Sequence, residues 1–311
     1  MIAKNLAKEE KPRSIDLHGK LFFPRYSHQI IKGLVRPHRP ALSKKIKPAS
    51  YGVRLRYRDL KNWSRFVKSD SVNINSPLTY YNSAGAFALF DLLSQLRINF
   101  STILHLRAEI DFIKKNLDAA PGQEYVLKMS LADIILKEKQ CILVMETLVT
   151  SGDGELVRLH RDFWFVKKCD PKFLKDLVYP CKYDVNDFKG LTKLDPSFVH
   201  KDRSQLEVHE IFIGRNAGNS FARVSGDYNV IHTTHWGARL CGQKRPFLQG
   251  FGILNLCLHK ISTTCDVDLA KISLTFCRPA LVKQSIELLR FGNDFELVDN
   301  RGKLVAFGSI A

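Results

Sequence analysis

The sequence lacks any long hydrophobic run, which argues against a membrane-spanning protein. None of its apolar stretches reaches the roughly 18 residues that a transmembrane helix needs. The first ten residues, Met1–Glu10, also lack the apolar segment of a signal peptide. We therefore expect a cytoplasmic protein that does not cross a membrane.

The chain also lacks the cysteine patterns that predict disulfides or a zinc site. Its seven cysteines are odd in number and scattered, and no two of them form a Cys-x-x-Cys pair. Such a distribution is typical of reduced thiols in the cytosol. We expect neither a disulfide framework nor a bound metal. The cysteines are Cys141, Cys169, Cys181, Cys241, Cys257, Cys265 and Cys277.

Acidic residues are scarce at the start of the chain. Residues 1–70 hold 18 Lys and Arg against 5 Asp and Glu, which is +13 of the total net charge of +17. A basic segment favours a polyanion: nucleic acid, an acidic membrane surface, an acyl carrier protein or coenzyme A phosphates. The alternative is that the charge only keeps the segment solvated. Nucleic acid is disfavoured, because the segment has neither an RNA-recognition pattern nor zinc-finger spacing.

Residues 1–70 are predicted to form a basic N-terminal arm followed by a helix. Five prolines, at positions 12, 24, 37, 40 and 48, prevent a long helix in the first 50 residues. The arm is therefore expected to be extended. Leu60, Trp63, Ser64 and Val67 recur at helical spacing within residues 52–68, which predicts an amphipathic helix.

The rest of the chain is predicted to form two α+β domains. Residues 71–170 combine one apolar helix, 82–96, with β-rich runs, the last two of which form a hairpin around Ser151-Gly152-Asp153-Gly154. Residues 171–204 are a proline-containing linker. Residues 205–311 repeat the arrangement around an apolar helix at 250–261. The predicted strands are 103–112, 125–131, 141–150, 155–166, 207–213, 272–277, 285–291, 295–299 and 304–310, and a further short helix is predicted at 234–241.

The stretch Ser225–His232 concentrates polar chemistry in eight residues. Asp227 and His232 are five positions apart, which places them on opposite faces of a strand and about 140° apart on a helix. They can meet only if the segment is an irregular loop. Gly226 fits such a loop, because glycine adopts backbone angles that other residues resist. A carboxylate and an imidazole that meet on a loop form an acid–base arrangement.

This stretch, Ser-Gly-Asp-Tyr-Asn-Val-Ile-His, resembles the signature of the MaoC-like family of (R)-specific enoyl-CoA hydratases and acyl dehydratases. The resemblance extends to Ala238–Gly242, to Gln249-Gly250-Phe251-Gly252 and to Phe276-Cys277-Arg278-Pro279. There are three departures from the family pattern. Val230 replaces a usual proline, Gln249 a usual histidine, and Lys283-Gln284 a common Gly-Asp pair.

The resemblance implies a double hot dog, with two central helices each wrapped by a curved antiparallel sheet. The second domain is then catalytic, and the first is degenerate because Arg158 stands where the motif has histidine. Two such units in one chain imply a monomer or a homodimer.

The resemblance also implies an activity. A hydratase interconverts a trans-2-enoyl thioester and a (3R)-3-hydroxyacyl thioester of coenzyme A or acyl carrier protein. Coenzyme A enters only as part of the substrate, and no separate cofactor is expected. Asp227 and His232 would be the catalytic pair, supported by Asn229, Ser225 and Gln249, and the Gly250 N–H would hold the thioester oxygen. The alternatives are a non-catalytic thioester-binding or scaffolding protein, and a thioesterase.

Overall fold

The computed structural model describes most of the chain after residue 45. The described residues are 13–14, 46–68, 79–96, 98, 103–114, 121–137, 140–167, 183, 185–240, 242–264 and 269–311. Most of the predicted arm, and the first part of the predicted linker, lie outside these residues.

The described strands form one large sheet. Their order across the sheet is β1-β2-β4-β5-β6-β3-β8-β11-β10-β9-β7. The short pair β1–β2 is parallel, and the other described pairs are antiparallel. The strands are β1 (Arg13–Ser14), β2 (Ala49–Arg54), β3 (Ile103–Phe112), β4 (Glu124–Lys137), β5 (Gln140–Ser151), β6 (Leu156–Val166), β7 (Glu207–Ile213), β8 (Lys271–Phe276), β9 (Gln284–Phe291), β10 (Asp294–Asp299) and β11 (Leu304–Ile310).

Two long apolar helices pack against the sheet, one in each half of the chain. The helices are α1 (Tyr57–Val67), α2 (Thr79–Gln95), α3 (Ala217–Ser225), α4 (Val230–Thr233), α5 (His235–Leu240) and α6 (Gly250–Thr264). The helices predicted at 82–96 and 250–261 correspond to α2 and α6. The α+β class is confirmed, and the division into two hot-dog units stays a prediction.

Each long helix lies in its own hydrophobic core. The α2 core includes Phe87, Leu92 and Leu93 with side chains of β2, β4 and β5. The α6 core includes Ile253 and Leu258 with side chains of β7 to β11. Helix α1 contributes to both, because Leu60 belongs to the first core and Trp63, Phe66 and Val67 to the second.

Strands β3 and β8 join the two halves. They pair antiparallel, with Arg107 opposite Thr275 and Ile110 opposite Ile272. A register shift lies between His105 and Arg107, where β3 pairs with β6. The pairing places the start of β3, which belongs to the first half, beside the start of α6 in the second.

Two sequence predictions need correction. The stretch Ser225–His232 is only partly irregular, because α3 continues to Ser225 and α4 begins at Val230. Helix α3 was not predicted, since its residues include glycine, asparagine and serine. The strand predicted at 125–131 continues to Lys137 through a register shift at Leu131, where a period-2 pattern is interrupted.

Candidate active site

The Asp227 carboxylate lies in the short loop between α3 and α4. Helix α3 ends at Gly226, whose φ of 75° is the left-handed conformation expected of a glycine cap. The Ser225 hydroxyl donates to the Phe221 carbonyl at 3.0 Å and accepts from the Asp227 N–H at 3.1 Å. Asp227 Oδ1 accepts from the Asn229 N–H at 3.1 Å. The Asn229 N–H therefore holds the carboxylate, and the Ser225 hydroxyl holds the backbone of Asp227.

His232 lies on α4, and its ring is fixed by the backbone of Phe247. Nδ1 lies 2.9 Å from the Phe247 carbonyl oxygen, and the two rings are nearly perpendicular with centroids 4.6 Å apart. Because a carbonyl oxygen can only accept, Nδ1 carries a proton. The other nitrogen, Nε2, then has the lone pair when the ring is neutral.

The charge of Asp227 acts on His232. Burial lowers the pKa of the His232 imidazole, while the Asp227 carboxylate and the hydrogen bond with Phe247 act to raise it. Both side chains are partly buried, so the carboxylate charge acts on the imidazole. A neutral imidazole beside a carboxylate is suited to accept a proton from water.

Asn229 has a local structural role. Its side-chain oxygen accepts from the Ile231 N–H at 3.3 Å and caps α4, and the residue is exposed. Val230 is consequently the first residue of α4, a position where proline is favoured in helices. This explains the usual proline of the MaoC-like pattern. Val230 does not fix the backbone φ angle as a proline would, but the Asn229 side chain still caps α4.

Gln249 ties the Asp227 loop to the start of α6. It is only 4% exposed, and its Nε2 donates to the carbonyls of Asp227 at 3.1 Å and Gly218 at 3.4 Å. Its backbone carbonyl accepts from the Ile253 N–H, so Gln249 is the residue before the first helical turn. The N–H groups of that first turn have no intrahelical partner.

The start of α6 faces a histidine from the first half of the chain. A Cβ placed on Gly250 would lie 2.9 Å from His105 Nδ1 and 3.2 Å from the Phe276 ring. The His105 side chain is 7% exposed, and its Nε2 lies 3.1 Å from Asp162 Oδ1. It stacks on Trp164 with centroids 4.2 Å apart. These neighbours lie about 60 and 145 positions away along the chain, so the sequence alone did not associate His105 with the site.

A basic pocket lies next to the Asp227 loop. It has a volume of about 350 Å³ and is lined by Arg58, Lys61, Asn62, Arg65, Arg223 and Tyr228. The first four of these residues lie on α1. They share one face of the helix, opposite the buried face that contains Trp63. Among the described residues, none of the four cations makes an ion pair. The pocket therefore presents unneutralised positive charge beside Asp227.

The third departure from the family pattern has a backbone explanation. Lys283 has a φ of 59°, in the left-handed region that favours glycine. The common Gly-Asp pair of the family suits this position, and lysine adopts it at some cost in strain.

Within the described ranges there is no group of three or more His, Cys, Asp or Glu residues that could hold a metal ion. No helix among them is long and apolar enough to cross a membrane.

Comparisons with known proteins give matches in structure but not in sequence. No protein-family model matches the sequence, and no curated protein matches it. A solved MaoC-like dehydratase has a TM-score of 0.64 and 14% identity, over 86% of this chain and 98% of that one. Another, from Phytophthora capsici, has a TM-score of 0.60 and 16% identity, over 87% and 99%.

A structure assigned as an oleoyl thioesterase, from Lactobacillus plantarum, also matches. Its TM-score is 0.50 and its identity 11%, over 87% of this chain and 97% of that one. The chain therefore has the hot-dog fold of the MaoC-like dehydratases, and the resemblance drawn from its sequence is confirmed in the fold.

Proposed function

We propose that the protein is an acyl-thioester hydratase/dehydratase of the double hot-dog type. It interconverts a trans-2-enoyl thioester and a (3R)-3-hydroxyacyl thioester. The observation that carries the proposal is the placement of Asp227 and His232 at the two ends of the short segment from α3 to α4, with the carboxylate charge acting to raise the pKa of the imidazole. Both side chains are held by backbone groups, and Gln249 ties their loop to the first turn of α6.

In the hydration direction, the pair acts on one water molecule. His232 Nε2 takes a proton from the water as its oxygen bonds to C3 of the enoyl group. The electron pair of the double bond moves toward the thioester carbonyl, and C2 then takes a proton from the pair. Asp227 orients the water and stabilises the imidazolium that forms. The net result is addition of OH to C3 and H to C2, with the pair restored.

The thioester oxygen gains negative charge during this step. The N–H groups of the first turn of α6 are suited to hold it, because they lack intrahelical partners and lie at the positive end of the helix dipole. Gly250 allows close approach, since it has no Cβ. Gln249 retains the structural hydrogen bonds that position this turn relative to Asp227, so its replacement of the usual histidine is compatible with activity.

We assign the basic pocket to the phosphate groups of the substrate. Arg58, Lys61 and Arg65 on α1 and Arg223 on α3 would neutralise several negative charges beside the catalytic loop. A concave pocket of this size suits the phosphates of coenzyme A better than the surface of a carrier protein. The thioester would then extend from this pocket past Asp227 to Gly250.

The test is an assay of crotonyl-CoA and a longer enoyl-CoA in the ultraviolet, with a thiol reagent in a parallel sample. Hydration removes the absorption of the conjugated thioester and releases no thiol. A thioesterase, the second candidate because a thioesterase structure shares the fold, releases coenzyme A. A binding protein does neither, and that result would refute the proposed activity.

A further inference from the structure

We infer that the protein binds the surface of anionic lipid membranes through an exposed apolar face beside the Asp227 loop. This face, called here the α5 face, is formed by Tyr228, Val230, Trp236 and Leu240. The inference goes beyond the proposed activity, because it concerns where the molecule is held and not which reaction it catalyses.

The α5 face contains the two most exposed of the large apolar side chains that the structure describes. Leu240 is 78% exposed and Trp236 is 60% exposed. They are four positions apart on α5, so they lie on the same side of the helix. Gly237 and Ala238 on the other side are buried. Helix α5 is therefore fixed to the protein on one side and projects two large apolar side chains into solvent on the other.

Close packing of α4 and α5 joins their exposed side chains into one surface. A Cβ placed on Gly237 would lie 2.5 Å from the backbone carbonyl oxygen of Val230. Val230 is 40% exposed, and Tyr228, two positions earlier, is 47% exposed. Tyr228 also lines the basic pocket. The α5 face is therefore continuous with that pocket.

The charge around the α5 face favours an anionic partner. Residues 211–264 contain six Lys and Arg and a single acidic residue, Asp227. Arg239 and Lys244, on either side of Leu240 in the sequence, are exposed, and within the described part of the chain neither makes an ion pair. The four cations of the basic pocket extend the positive surface beyond Tyr228. An apolar centre with a basic surround is typical of proteins that bind anionic membrane surfaces.

Like charge argues against two other ways of covering the α5 face. A second copy of the chain would bring two basic surfaces together, and like charges that face each other oppose association. The predicted N-terminal arm is basic as well, because residues 1–45 hold 11 Lys and Arg against 3 Asp and Glu. Neither occupant offers the negative charge that this surface lacks.

A bilayer also fits the shape of the α5 face better than an acidic protein does. Trp236 and Leu240 project outward, so a protein partner would need a fitted pocket for each of them. The interfacial region of a bilayer accepts Trp, Tyr and Leu side chains without a fitted pocket. Lipid phosphates at the same depth attract Lys and Arg side chains.

The test is binding of the full-length protein to vesicles of equal parts phosphatidylcholine and phosphatidylglycerol. Vesicles of phosphatidylcholine alone are the neutral comparison. Co-sedimentation measures the bound fraction, and tryptophan fluorescence reports on Trp236, because Trp63 and Trp164 are packed against other side chains. We expect binding and a blue shift of the emission with the anionic vesicles, and much weaker binding to the neutral ones.

The apolar contribution is tested by the double variant Trp236→Ser/Leu240→Ser. It should weaken binding to the anionic vesicles about 10-fold or more, because two projecting apolar side chains no longer enter the bilayer. The matched control is Ile113→Ser/Val199→Ser, which removes two exposed apolar side chains outside the α5 face. The control should bind as the unaltered protein does. Urea unfolding checks that both variants are folded.

The electrostatic contribution is tested by Arg239→Glu/Lys244→Glu. It should weaken binding to the anionic vesicles about 25-fold, since each Lys or Arg near an anionic membrane contributes about fivefold. The control, Lys189→Glu/Lys193→Glu, reverses two exposed charges outside the α5 face and the basic pocket, and it should lose much less.

Three results would overturn the inference. The first is no binding to the anionic vesicles. The second is binding that Trp236→Ser/Leu240→Ser retains in full, which would place the contact elsewhere, for example in the N-terminal arm. The third is binding of an acyl carrier protein without an acyl group that requires Trp236 and Leu240, together with no vesicle binding, which would assign the face to an acidic protein. No thioester substrate is present in these measurements, so their outcome does not depend on the proposed activity.

Discussion

The side-chain amide of Gln249 donates to the backbone carbonyl of Asp227 at 3.1 Å. This bond joins the residue before α6 to the loop that carries the Asp227 carboxylate, the proposed catalytic group. The same nitrogen reaches the Gly218 carbonyl on α3 at 3.4 Å. One buried amide therefore sets the distance between the group that would act on water and the helix turn that would hold the thioester oxygen.

Gln249→Leu should damage both stability and turnover. It leaves the carbonyls of Asp227 and Gly218 without this donor, and an unsatisfied buried group costs about 1–3 kcal/mol. Urea unfolding measures the loss, and the enoyl-CoA assay measures the turnover. Gln249→His restores the residue usual in MaoC-like proteins and should retain most of both. Equal stability and equal turnover of the Gln249→Leu and Gln249→His variants would show that the hydrogen bond to Asp227 is unimportant.

Gly250→Ala should reduce turnover, and it should also lower the free energy of unfolding because the added methyl group meets side chains already packed there. The new Cβ would stand 2.9 Å from His105 Nδ1 and 3.2 Å from the Phe276 ring, and it would crowd the helix turn proposed to hold the thioester oxygen. A displaced substrate commonly loses about 10²-fold in rate. Gly52→Ala is the control, because a Cβ there meets nothing within 4 Å. A Gly250→Ala protein with normal turnover would place the thioester elsewhere.

Arg65→Glu should weaken binding of coenzyme A about 10-fold, since it reverses one charge in the basic pocket. The wild-type affinity should fall as salt approaches about 1 M, where the Debye length is roughly 3 Å. Isothermal titration calorimetry with free coenzyme A tests both. Lys193→Glu, an exposed charge reversal outside the pocket, should change little. Tighter binding of an acyl carrier protein than of coenzyme A would show that the basic pocket binds the carrier protein and not the phosphates of coenzyme A.

His160 should make the protein less stable in acid. Complete burial lowers the pKa of His160 to about 3, with the Arg158 charge acting in the same direction. An unfolded histidine titrates near pH 6.5. Between these values the unfolded chain binds a proton that the folded chain does not, so the free energy of unfolding falls as the pH drops from about 6.5 towards 3.

His160→Gln removes this titration and should reduce the slope in urea unfolding measured at several pH values. His200→Gln is the control, because His200 is exposed. If both variants kept the wild-type slope, His160 would not be the source of the pH dependence.

Sequence reasoning located the elements that rely on local patterns. The strands of the second half follow alternating or apolar runs, and the bounds of β7 and β11 match the prediction. Helix α6 is marked by its apolar content. Gly226 and the loop after it were recognisable because turn residues cluster there.

The features that the sequence did not predict depend on contacts between distant parts of the chain. Helix α3 has weak helix formers, and it is stabilised by packing of Phe221 against Phe66 of α1. The position of His105 depends on the β3–β8 pairing, which brings together residues about 170 positions apart. No local pattern encodes that pairing. The basic face of α1 was visible as charge, but its position beside Asp227 was not.

The most direct test of the account is the turnover of crotonyl-CoA by Asp227→Asn, His232→Ala and the double variant. Each single change should lower kcat by about 10²–10⁴-fold, the usual contribution of a positioned acid or base. Because both groups act on one water, the double variant should lose far less than the product of the two single losses. Coenzyme A should still bind to all three. Single variants with full activity, or losses that multiply in the double variant, would contradict a catalytic pair at Asp227 and His232.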